Sequence, residues 1–233
     1  ITLNSGLAAT GTIALNTAGA TGDALVINAT GIDFAASTVG GALTATATGA
    51  ITDSGALSIG GTTTVAPGAG NSVTLDTATN NFTGAVSATN GANLTLVDAN
   101  AINLGANTIS GNLSVTTAGT ITPSGAQTIG GSITFNTGVA AQDIGLLDNA
   151  GLTGTSLTVT SGAMTTVSTL TFGGPVTLNS SGAITVTSAV TATGAALSAT
   201  ATGAITGAGG LTGTTLTLSG SSIGSATTAL TLG

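Results

Sequence analysis

The chain has 233 residues and contains no Lys, Arg, His, Cys, Trp or Tyr; its seven charges are all Asp. With no cation to neutralise phosphate, nucleic-acid binding is excluded, and an anionic membrane surface has nothing to attract. The lack of Cys removes disulfides and most soft-metal sites, and no apolar run approaches the ~20 residues of a transmembrane helix. Leu, Ile, Val and Phe make up about a quarter of the chain, above the ~20% level below which disorder is expected. A packed core is therefore predicted, a light one of Ala, Val, Leu, Ile and four Phe: Phe34, Phe82, Phe135 and Phe172.

Along the chain the local signal has period two. Leu43-Thr44-Ala45-Thr46-Ala47-Thr48 alternates apolar and hydroxyl residues. So do Val73-Thr74-Leu75, Leu94-Thr95-Leu96, Leu113-Ser114-Val115, Ile133-Thr134-Phe135, Leu157-Thr158-Val159, Val176-Thr177-Leu178 and Leu216-Thr217-Leu218. Alternation sends one set of side chains to a core and the other to water, and β-branched residues favour strands. Glycine pairs precede several of these runs, at Gly40-Gly41, Gly60-Gly61, Gly130-Gly131 and Gly173-Gly174. They are expected to supply positive φ at tight corners.

These marks cut the chain into units near 20 residues: 42–61, 112–131, 155–174, 175–194, 195–213 and 214–233. The stretches 62–84, 85–111 and 132–154 are longer and should carry bulges or small loops. Three short strands are predicted per unit; in the first they are 43–47, 50–52 and 56–59. The segment GALTATATGAITDSGALSIGGTTTV, from Gly41, returns seventy residues later as GNLSVTTAGTITPSGAQTIGGSITF, from Gly111, an offset read as three turns. Ile51, Ile121, Ile184 and Ile205, each in a Gly-x-Ile-Thr tetrad, are expected to form one stacked column.

A unit of this kind cannot bury its apolar face alone, and stacking closes the core. The prediction is an all-β parallel β-helix, a single continuous solenoid over residues 1–233. It would have about eleven turns and a length of about 50 Å. A β-sandwich is the main rival, but it needs hairpin turns and does not explain an isoleucine column. The chain begins and ends in mid-pattern, so it is expected to be a fragment whose open ends continue into further chain or stack end to end into filaments.

The Gly-x-Ile-Thr, Leu-Thr-Val-type and Gly-Gly punctuated units resemble the repeat regions of filamentous-haemagglutinin-like large exoproteins, many of them two-partner secretion substrates. The resemblance implies a right-handed parallel β-helix, export across an outer membrane to the cell surface or exterior, and a part in attachment or an extracellular fibre. Any receptor contact would fall to other regions. No functional residues carry over.

Candidate sites are few. Enzymes on this fold need clustered carboxylates, but Asp53 aligns with Pro123, Val186 and Gly207 in sister units. Asp143 and Asp148 are the closest acidic pair in sequence. All seven are read as solvated or turn-capping, with no catalytic, cofactor or metal site assigned. The Asp-bearing nonapeptide of calcium-binding solenoids is absent, and a P-loop needs Lys. Thr-x-Thr pairs at Thr44/Thr46/Thr48, Thr185/Thr187, Thr191/Thr193 and Thr200/Thr202 resemble the ice-binding faces of some antifreeze solenoids. Thr is also simply the soluble residue best suited to strands. Sequons at Asn28, Asn81, Asn93, Asn112 and Asn179 occur at about the chance rate for a chain so rich in Ser and Thr. The function expected is structural rather than enzymatic, a shaft or filament segment, with an ice- or glycan-binding hydroxyl surface as the alternative.

The inward and outward assignment has a direct check. Ile121→Asp should lower the thermal unfolding midpoint far more than Thr122→Asp, and equal midpoints would refute the alternation.

Overall fold

A computed structural model describes residues 1–4, 6–144, 147, 151–224 and 231–233. Every strand pair in it is parallel, and each strand pairs with the one about a turn later in sequence. The chain is a parallel β-solenoid, three-sided in cross-section. The first side stacks Ala24–Asn28, Leu43–Ala47, Thr63–Ala66 and Val86–Gly91. The second side is one unbroken sheet of eleven strands, from Thr12–Ile13 to Leu216–Ser219. The third stacks Ser37–Val39, Leu57–Ile59 and Asn81–Phe82. At ~4.8 Å per step the second side is about 48 Å long.

Alternation decides which side chains enter the core. Leu43, Ala45 and Ala47 are buried and Thr44 and Thr46 lie outward. Ile121 is fully buried and Thr122 exposed. The four Phe are all buried, and one continuous apolar cluster runs from Ile13 to Leu211. An inward Thr63 interrupts the first side between Leu43 and Val86, its hydroxyl buried without a hydrogen-bond partner.

The glycine pairs have a different role from the one expected. None of Gly40, Gly41, Gly60, Gly61, Gly130, Gly131, Gly173 and Gly174 has positive φ. Gly22, Gly41 and Gly61 sit directly over one another, joined by Gly41 N–H to Gly22 O at 3.2 Å and Gly61 N–H to Gly41 O at 2.8 Å. A Cβ on Gly61 would lie 2.6 Å from the Gly41 carbonyl carbon, and one on Gly131 would lie 2.7 Å from that of Gly111. The corner is tight because backbone stacks on backbone there. Glycine leaves that space empty.

The predicted isoleucine column is not one column. Ile51 lies on the second side, where its column passes through Val73 and Leu94 to Leu113. Ile121 pairs instead with Ile102, in a strand joined to the sheet of the first side. Below it come Gln142, Met164, Ile184 and Ile205. Three turns of the solenoid therefore separate Ile51 from Leu113, and the seventy residues from Leu43 to Leu113 span three turns and one side more.

The break lies at Val86–Gly91 and the eight-residue strand Ile102–Ile109. Register shifts twice between them, and Asn90 takes a positive φ of 64°. Ile102–Ile109 covers what are elsewhere two sides. Its first part pairs with Ile121–Pro123 and its last part with Gln127–Ile129. Above the break the broad five-residue strands Ala24–Asn28 and Leu43–Ala47 are on the first side; below it the broad strands Leu113–Thr117, Val176–Ser180 and Leu197–Ala201 are on the second.

Close stacking at the corners yields a paired test. Gly61→Ala should cost about 1–3 kcal/mol by overpacking. Gly173→Ala, where a Cβ meets nothing within 4 Å, should change stability by less than about 0.5 kcal/mol; chemical denaturation of the two variants distinguishes them.

Candidate functional surface

Asp23, Asp53, Asp98 and Asp143 accept backbone N–H groups, whereas Asp33 Oδ1 is buried without a hydrogen-bond partner. Asp23 Oδ1 accepts Ala42 N–H at 2.7 Å across a corner. Asn93 Oδ1 and Asn112 Oδ1 do the same for Asn112 and Ser132 N–H, both at 2.9 Å. At the corner between the second and third sides, Asp53 accepts from Asp76 N–H at 2.9 Å, Thr77 N–H at 3.3 Å and the Asn80 side-chain amide at 2.6 Å. Asn80 in turn accepts Leu57 N–H at 2.7 Å. Two turns after Asp53, Asp98 accepts Phe82 N–H at 2.8 Å and Asn100 N–H at 2.7 Å. The turn-capping reading fits Asp23, Asp53 and Asp98, but Asp53 and Asp98 are buried rather than solvated.

Burial pushes the Asp98 carboxyl above the ordinary carboxylate range, and the two backbone N–H donors from Phe82 and Asn100 oppose that shift. Asp143 lies at the start of its stack, its Oδ1 accepting Val167 N–H at 3.3 Å; Asp148 falls outside the described residues. Among the described residues no three acidic side chains gather as a metal site, and no helix is long and apolar enough to cross a membrane.

Buried amides are the polar feature that sequence reasoning missed. Gln142 Oε1 accepts Ile121 N–H at 2.9 Å and its Nε2 donates to Ile121 O at 3.1 Å, the pair of bonds a neighbouring strand would make. Asn28 does the same for Ala9, at 2.9 Å in both directions. At the register break Asn107 Oδ1 accepts Ala88 N–H at 2.7 Å and Nδ2 donates to Gln127 Oε1 at 2.9 Å, while Gln127 Nε2 donates to Gly105 O at 2.6 Å. All four amide side chains are buried. They satisfy backbone groups that the interrupted ladder leaves open, which is what burial of a peptide group requires. Asn28 is also a sequon residue, and its amide is taken up in this pairing.

The exterior is lined with hydroxyls. On the second side one outward column holds Thr or Ser at every turn from Thr52 to Thr217. A second column beside it reads Thr116, Asn136, Thr160, Asn179, Thr200 and Ser219. Of the Thr-x-Thr residues singled out in the sequence, only Thr200 lies in these two columns. Thr44 stacks on Thr64 but Thr46 stacks on Ala66, so that pair does not extend. Thr185 and Thr191 belong to short columns on the other two sides, with Thr165 and Thr206 and with Thr171 and Thr212. Outward hydroxyls are thus present on every side, beside exposed apolar residues such as Ile27 and Val167. An open groove of about 680 Å³ at one edge, under the 67–70 loop and over Gly91, Ile109 and Ile129, is lined by no charged residue.

The sequence matches the family described as Repeats of unknown function (DUF5649) twice, over residues 21–89 and 91–153. The matches cover more than half of the chain, which belongs to that family of repeat proteins. Comparison with curated proteins and with solved structures gives no match.

Asp98 generates a pH prediction. Because its carboxyl titrates higher in the fold than in the unfolded chain, its ionisation costs stability as pH rises from the ordinary carboxylate range through the folded value. That cost is fully present above the folded value and is relieved on acidification through it. Asp98→Asn should therefore show a smaller gain, or a larger loss, in unfolding midpoint than the parent between pH 7 and pH 4.

Proposed function

We propose that this chain is a structural segment, the shaft of a secreted bacterial adhesin or of an extracellular fibre, and not an enzyme. One observation carries the reading: the turns stack in register, their second side forming a single eleven-stranded sheet, with outward hydroxyls on each side. A stack of this kind sets a distance, because each added turn lengthens it by ~4.8 Å. Three of the carboxylates that could have supported chemistry, Asp23, Asp53 and Asp98, cap corners, and the capping differs from turn to turn. Partners consistent with this role are neighbouring solenoid turns, in the same chain or in copies stacked end to end.

The outward hydroxyl columns favour one second reading, an ice- or glycan-binding surface on the second side. Its widest part has two adjacent columns over six turns, from Ser114/Thr116 to Thr217/Ser219.

Electron microscopy of the purified chain should show rods, lengthened by about 16 Å for each seventy-residue unit appended; compact particles would sink the shaft. Protease added to intact source cells should digest the protein if it is displayed outside. Thermal hysteresis or ice shaping by the chain would transfer the assignment to the second reading.

A further inference from the structure

We infer that the seventy-residue family unit advances the solenoid by three turns and one side, so that a surface carried by one unit faces a different direction in the next. Two independent observations meet here. The family matches begin at residues 21 and 91, seventy apart, as are Leu43 and Leu113. The strand register shows what that distance does to the fold. Leu43–Ala47 lies on the first side and its equivalent Leu113–Thr117 on the second. Ile51–Asp53 lies on the second side, and its equivalent Ile121–Pro123 pairs off that side, with Ile102–Leu104. Leu57–Ile59 lies on the third side, and its equivalent Gln127–Ile129 pairs with Asn107–Ile109, which pairs back to the first. All three strands of the unit leave the side that their equivalents hold.

The cause is a mismatch of lengths. Sixty-two residues carry Ile51 to Leu113 in three turns, and eighty-four carry Leu113 to Leu197 in four, so a turn takes about 21 residues. Seventy is three and a third of these. Spacings that are multiples of the turn keep their side: Leu113, Val176 and Leu197 share one column. In an array of seventy-residue units, the same surface returns to its starting direction only after three units, ten turns or about 48 Å. Such an array offers each unit's surface around the whole rod, to neighbours on every side. This consequence follows from register and is independent of where the protein is displayed.

The test uses outward positions that tolerate a label. Dipolar EPR on Thr52→Cys/Ser114→Cys should give the shorter distance, three strand spacings or about 14 Å between backbones. Thr44→Cys/Ser114→Cys joins positions equivalent in the repeat and should give a clearly longer one, because they lie on different sides. Circular dichroism of each labelled protein checks that the fold is kept, and single-label controls remove intermolecular contributions. A shorter distance for the Thr44/Ser114 pair, or equal distances for the two pairs, would overturn the one-side advance.

Discussion

Everything in this molecule depends on the backbone of one turn hydrogen-bonding to the backbone of the next. Parallel strands about 4.8 Å apart demand that successive turns keep nearly the same path. Apolar residues must then fall over apolar residues, and nothing bulkier than hydrogen fits where corners cross. Gly22, Gly41 and Gly61 meet the last demand; the columns through Leu94, Leu113 and Ile133 meet the first. Where the path changes, between Val86–Gly91 and Ile102–Ile109, the ladder loses its register and side chains complete it. A primary amide carries the same donor and acceptor as a peptide group, so Asn107, Gln127 and Gln142 can stand in for missing strand neighbours at little cost. Each of these amides would be expensive in the core without its partners.

Much of the fold was legible in the residues. Leu43–Ala47 is the strand its alternation predicts, and the Ile121/Thr122 division between core and water is as expected. The turn length of about 20 residues followed from the glycine punctuation. The side on which a strand lies could not be read. All three sides use the same inward-outward alternation, so a Gly-x-Ile-Thr tetrad looks alike whether it sits on the second side, as at Ile51, or off it, as at Ile121. Only the pairing of long loops and the double strand at Ile102–Ile109 decides that, and these depend on contacts between turns. The glycine pairs were correctly placed at corners, but at all of them except Gly173 the reason is crowding by the turn before and not chirality of φ.

The polar chemistry divides in the same way. Capping by Asp is a local signal, and Asp23 and Asp53 follow it. The burial of Asn28, Asn107, Gln127 and Gln142 had no local signal, because amides on a Ser- and Thr-rich chain are expected outside. The hydroxyl columns were partly legible. Thr at alternate positions announces an outward face, yet Thr44, Thr46 and Thr48 do not stack into a long array, while single Thr and Ser residues such as Thr95 and Ser114 do. A ladder is a property of register, and pairs within one strand do not reveal it.

The direction of the hydrogen bonds has a mechanical consequence. They run along the rod axis, so a pull on its two ends loads successive turns in series, and the chain between turns bears tension only after a turn has let go. Each turn that peels away releases about 21 residues, worth about 70 Å of extended chain against the 4.8 Å it occupied when stacked. The rod is stiff under small loads and becomes a long tether under large ones, yielding one turn at a time.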